Sequence, residues 1–127
     1  SLAKVGRLRG SFGIVELGAG NGYWAERLRS LGVKVTALDV DSLTAQEKQS
    51  KVVEYGTAEN LAAMPQQTLL LCMPPPGESG CADAALEHFK GRRVAYVGEW
   101  ASGMTATETF HDRLLRDFSL QKQVPLP

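Results

Sequence analysis

The segment Glu16-Leu17-Gly18-Ala19-Gly20-Asn21-Gly22 sets a carboxylate beside three alternating glycines. Glycines between a strand and a helix allow a tight turn and let a ligand approach the backbone. A carboxylate offers acceptor oxygens to a cationic group or to hydroxyls. Asp39 lies 21 residues beyond Gly18, at the end of a second apolar run, and Asp41 is a backup two residues on. That spacing and position suit an acid that shares a site with the glycine loop, or one that caps a helix or ends a strand in solvent. A dinucleotide fingerprint starting at Gly18 would put its third glycine at 23, where Tyr23 stands. A tyrosine there argues against NAD or FAD, and the loop lacks the Lys-Ser/Thr end of a phosphate-binding P-loop.

Four further segments carry functional groups. Thr57-Ala58-Glu59-Asn60 reads as a helix entry with Thr57 as its cap. Met73-Pro74-Pro75-Pro76 stiffens a loop, or simply ends a buried strand, and leaves the Cys72 and Met73 carbonyls available. Glu99 can orient or deprotonate a nucleophile at the rim of a crevice, and Trp100 can wall a pocket. Tyr23 stands where it can border a bound cofactor, whereas Trp24 fits a core face. No Cys/His cluster has zinc spacing, and His88 and His111 read as structural, so no metal is expected. Cys72 and Cys81 are too few for a disulfide framework and read as reduced thiols of an intracellular, cytoplasmic protein.

These segments sit at the ends of apolar runs. Strands are expected over 13–17, 33–40, 51–55, 68–73 and 93–100, with a last one over 119–124. Helices are expected over 21–31, with Trp24, Leu28 and Leu31 on its buried face, over 81–89, and over 107–118 through Phe110, Leu114, Leu115 and Phe118. A polar stretch over 42–51 reads as a short helix or loop, and 58–63 as one or two helical turns stopped by Pro65. Alternation of this kind predicts an α/β fold with a mainly parallel sheet covered by helices on both sides. In such sheets ligands bind beyond the carboxyl ends of the strands, which points to the segment after Leu17, to Asp39 to Asp41, to Gly56 to Asn60 and to Met73 to Gly77.

The chain has 127 residues, of which 43% are hydrophobic, and its 14 basic and 14 acidic side chains cancel. This is one domain spanning 1–127 with a single core, without the bulk charge that holds a protein to nucleic acid. The longest apolar run, Leu69 to Met73, is five residues, too short to span a bilayer. No signal peptide is visible.

The Glu-x-Gly-x-Gly-x-Gly loop in this strand–helix context resembles that of class I S-adenosylmethionine-dependent methyltransferases, most specifically over Val15 to Ala25. The pattern Leu-Leu-Leu-Cys-Met-Pro-Pro at 69–75, with Tyr96-Val97-Gly98-Glu99 and Thr105-Ala106, is similar to a group of methyltransferase-like proteins of unknown substrate. The resemblance implies a three-layer αβα Rossmann-like fold, here lacking the last antiparallel strand. It implies SN2 transfer of a methyl group from S-adenosylmethionine to an unidentified nucleophile. Glu16 then helps hold the methionyl ammonium, Gly18, Ala19 and Gly20 pack on the cofactor, and Asp39 with Val40 meets the ribose. Thr57, Ala58 and Cys72 complete the cofactor site, with Thr57 standing where many members carry an adenine-contacting aspartate. Met73, Pro74, Pro75, Trp100 and Tyr23 form the substrate pocket. Met73-Pro74-Pro75-Pro76 lacks both the side-chain acceptor and the aromatic ring of amino-directed members, so methylation of a base amino group is not implied. The alternative is a catalytically inactive methyltransferase-like module that acts as a binding or assembly subunit. The short chain further suggests a minimal or trimmed form, or a partner that supplies the missing sheet edge.

Overall fold

Leucine-rich and β-branched runs bounded by glycine and proline form the strands, and segments with apolar residues at helical spacing connect them. The computed structural model describes residues 12–40, 53–76, 81–99 and 104–125. In chain order they form β1 (Ile14–Leu17), α1 (Tyr23–Ser30), β2 (Val35–Asp39) and β3 (Val53–Tyr55). A 3-10 helix (Ala58–Ala63), β4 (Thr68–Cys72), α2 (Ala82–His88), β5 (Val94–Val97) and α3 (Glu108–Asp117) follow. The expectations for Asp41, for 42–51 and for Trp100 lie outside the described residues.

The five strands make one all-parallel sheet in the order β3-β2-β1-β4-β5. The chain walks outward from β1 to β3, then returns to the other side of β1. Right-handed crossovers in opposite directions place helices on opposite faces. The period-two alternation of each strand supplies both interfaces. Val15, Leu17, Leu38, Leu69 and Leu71 pack with Leu61 of the 3-10 helix, Ala85 of α2 and Phe110 of α3. On the other face Ile14, Val33 and Leu70 pack on Leu28 of α1, while Ala19, Ala37 and Val53 pack on its Ala25.

Three expectations fail. Trp24 and Leu31 are 45% and 50% exposed; of the expected face α1 buries Leu28, and with it Ala25 in place of the other two. Ala25 packs there against the small side chains of Ala19 in the glycine loop and Ala37 of β2. Trp24 meets Tyr23 edge to face, with ring centroids 5.5 Å apart. In α3 the buried stripe runs through Phe110 and His111, while Leu115 is exposed. No strand forms over 119–125: Leu120 and Val124 are exposed and pair with no strand among the described residues. The three polar residues between them give no alternating apolar face, and Pro125 has no N–H to donate.

Candidate ligand site at the strand ends

The strand order reverses between β1 and β4, and parallel α/β sheets bind ligands in the crevice beyond the strand ends at such a point. Glu16 stands opposite Ala37 of β2 and Leu70 of β4. Asp39 and Cys72 lie two residues beyond those partners. All three therefore leave the sheet from the face that α1 covers, at its carboxyl end. Three separate segments of sequence thus meet at one point.

Glu16 is only 2% exposed, and its Oε1 is buried without a hydrogen-bond partner among the described residues. Burial, and after it the neighbouring Asp39 charge, push its pKa up to about 7. Burial and then Glu16 push the Cys72 thiol up to about 11. Burial also raises Cys81. Both cysteines are free and are held as thiols, which makes them poor nucleophiles.

The glycine loop turns through left-handed backbone at Gly18, Gly20 and Gly22, with φ of 82°, 59° and 84°. A Cβ on Gly20 would meet nothing within 4 Å, whereas one on Gly18 would stand 3.3 Å from the Cys81 sulfur. The loop donates its N–H groups to its own chain. Gly18 and Ala19 donate to the Leu38 carbonyl at 2.9 and 3.0 Å, and Gly20 donates to Asp39 Oδ2 at 2.7 Å. Gly22 donates to the Ala19 carbonyl and Tyr23 to Asn21 Oδ1. A loop that binds phosphate aims such donors at the ligand. This one ties them to β2 and to itself.

The remaining expected residues surround this point unevenly. Val40 follows β2 and is exposed, and Ala58 is buried beyond β3. Thr57 caps the 3-10 helix, and its N–H donates to Asn60 Oδ1 at 2.7 Å. Met73 is exposed and left-handed at φ 49°, with its N–H held by the Val97 carbonyl at 2.7 Å. Pro74 is buried and Pro75 exposed. Tyr23 is exposed at the start of α1, beside the loop. Glu99 is exposed beyond β5, on the far side of β4 from Glu16. Among the described residues no three His, Cys, Asp or Glu side chains could hold a metal ion.

Two features were not legible in the sequence. Cys81 lies against the glycine loop at Gly18, and no spacing announces that approach. A buried polar chain fixes the Glu99 rim: the Glu99 N–H donates to Thr105 Oγ1 at 2.9 Å, which lies 2.5 Å from the Tyr96 hydroxyl. That hydroxyl lies 3.2 Å from His111 Nε2. Ala106, left-handed at φ 57°, donates to the Pro74 carbonyl at 2.8 Å and couples this chain to the loop after β4. Backbone strain of this kind concentrates at functional sites.

Searches against protein-family models, curated proteins and solved structures found no match to this chain. Among the described residues no helix is long and apolar enough to cross a membrane.

Proposed function

We propose that the protein is a class I S-adenosylmethionine-dependent methyltransferase with a three-layer αβα fold, acting on a nucleophile whose class is not specified by the site. One observation carries the reading: two carboxylates, Glu16 and Asp39, flank a glycine loop whose backbone donors are tied away from the crevice. Such a site repels a pyrophosphate and suits a ligand with a positive charge and a diol. This favours S-adenosylmethionine over a nicotinamide or flavin dinucleotide.

The residues fit that group. Glu16 offers an orphaned buried oxygen for an ammonium, and Gly20 leaves the space that a Cβ would fill. Asp39 stands at the end of β2, where it would hold a ribose, while Val40, Ala58 and Cys72 would border the nucleoside. Bound S-adenosylmethionine supplies an already activated sulfonium methyl. The chain's own work is then to bind, to orient the acceptor, and to exclude water. Met73, Pro74 and Pro75 would shape the acceptor side, with Tyr23 on the rim. Glu99 would take a proton only from an acceptor that reaches across β4.

A second reading is a module that binds the cofactor without transferring a methyl group, serving as an assembly subunit. It is favoured by Thr57, whose backbone is committed to a helix cap where many family members place an adenine contact. Calorimetry with S-adenosylmethionine, S-adenosylhomocysteine and NAD tests the first reading. Binding of the first two, lost in Asp39→Ala, is expected; binding of neither refutes it. Transfer of a labelled methyl group to a cell extract separates the enzyme from the inactive module.

A further inference from the structure

The Glu16 carboxyl group is buried in the sheet with no counter-charge among the described residues. Ala37 and Leu70 flank it in register, and Ala25 and Leu28 are the buried residues of the helix that covers this face. The titratable groups described that face it are Asp39 from β2 and the Cys72 thiol from β4. Cys81, beyond the glycine loop, faces Asp39. The charged residues of α1, namely Glu26, Arg27 and Arg29, are all exposed. An isolated ionised carboxylate in such surroundings is costly, and a second carboxylate beside it adds to the cost. A protonated carboxyl group is the cheaper form until a cation arrives.

We propose that Glu16 holds a proton in the ligand-free protein and releases it when a cationic amino group is seated against it, so that cofactor binding expels a proton. The inference rests on the reading that S-adenosylmethionine occupies this crevice. It adds a property that methyl transfer does not require: affinity set by pH near neutrality. The sign follows from linkage. The competent pair is the carboxylate with the protonated amino group, so affinity rises with pH as Glu16 ionises and falls again where the ligand's amino group loses its proton. With the midpoint at about 7, the ionised share of Glu16 at about pH 6 is about tenfold lower than at about pH 8, and affinity falls with it on the acid side. The proton leaves the carboxyl oxygen for solvent, and no covalent bond to carbon is made or broken.

The test is carbon NMR of protein labelled at the glutamate carboxyl carbons, with Glu16 assigned by the signal missing from Glu16→Gln. The Glu16 signal is titrated alone and then with saturating S-adenosylmethionine. The expected result is a midpoint near 7 that falls by more than one pH unit when the ligand is bound. A ligand-free midpoint in the ordinary glutamate range overturns the inference. So does a midpoint unmoved by a ligand that shifts other resonances; in either case the methyltransferase reading stands. If the ligand shifts no resonance, that reading fails and the inference falls with it. Should Glu16→Gln fail to fold, Glu16→Asp supplies the assignment, because the same signal is missing from it.

Discussion

A carboxyl group that prefers to be neutral must leave a mark on stability, and Glu16→Gln measures it. In the unfolded chain Glu16 titrates near its ordinary value of 4.5, and in the folded protein near 7. The folded state therefore binds the proton more tightly. Stability falls as pH rises between those values and is level above them. A difference of that size corresponds to about 3 kcal/mol, reduced to roughly 2–3 kcal/mol by solvent relaxation at the crevice. The glutamine side chain of the variant is neutral at every pH. Its unsatisfied amide costs about 1–2 kcal/mol, which shifts the whole curve without tilting it. Urea unfolding of both proteins from about pH 4.5 to about pH 8 should show the variant gaining about 2–3 kcal/mol on the parent across that range. At about 4 °C per kcal/mol the midpoint difference should change by roughly 10 °C. Parallel stability curves would refute the reasoning, because they would mean that Glu16 is already ionised, and stabilised, in the folded protein.

Asp39→Ala removes the acceptor of the Gly20 N–H and should cost about 1.5–3 kcal/mol in thermal unfolding; it should also lower the Glu16 midpoint by removing a like charge. Asp39→Asn keeps an acceptor and should preserve most of that stability while still weakening cofactor binding in calorimetry. Phe110→Ala empties a fully buried position between α3 and the sheet and should cost about 3–5 kcal/mol in denaturant unfolding. Tyr96→Phe removes the hydroxyl that joins Thr105 to His111 and should cost about 1–3 kcal/mol, with hydrogen exchange rising at the Glu99 amide. Asn60→Ala removes the acceptor of the Thr57 N–H and should cost about 1 kcal/mol, without change in ligand affinity if Thr57 serves only as a cap.

The fold was largely legible because its signals are local and strong. The run over 68–73 has the unbroken apolar character of a strand covered on both faces, and Pro74 had to end it. Gly18 and Gly20 lie where the strand-to-helix turn needs left-handed backbone. What could not be read depends on tertiary packing. Trp24 has the periodicity of a buried residue, yet Ala25, packed against Ala19 and Ala37, takes its place. His111 has no sequence signal for burial; the Tyr96 hydroxyl across the interface gives its ring a polar partner. Residues 119–124 carry a β-branched residue and a leucine, but without alternation they found no partner strand among the described residues. At the site, Glu16 and Asp39 could be placed at strand ends from spacing, but their shared face follows from the parallel register alone.

That register also explains why the site discriminates by charge. Parallel pairing forces residues two beyond a matched pair onto one face, so Glu16, Asp39 and Cys72 converge whatever their chemistry. Packing alone would place apolar groups there, as it does at Ile14, Ala37 and Leu70. A buried acid instead costs stability and leaves an oxygen without a partner among the described residues, a local inconsistency characteristic of sites rather than of cores. The glycine loop adds to the asymmetry by spending its N–H donors on Leu38 and Asp39. The crevice is thereby left rich in acceptors and poor in donors. A ligand gains there only by bringing its own donors and positive charge, and any such ligand must compete with the proton for Glu16. Selectivity for a cationic cofactor and sensitivity to pH are thus two consequences of the same buried carboxyl group.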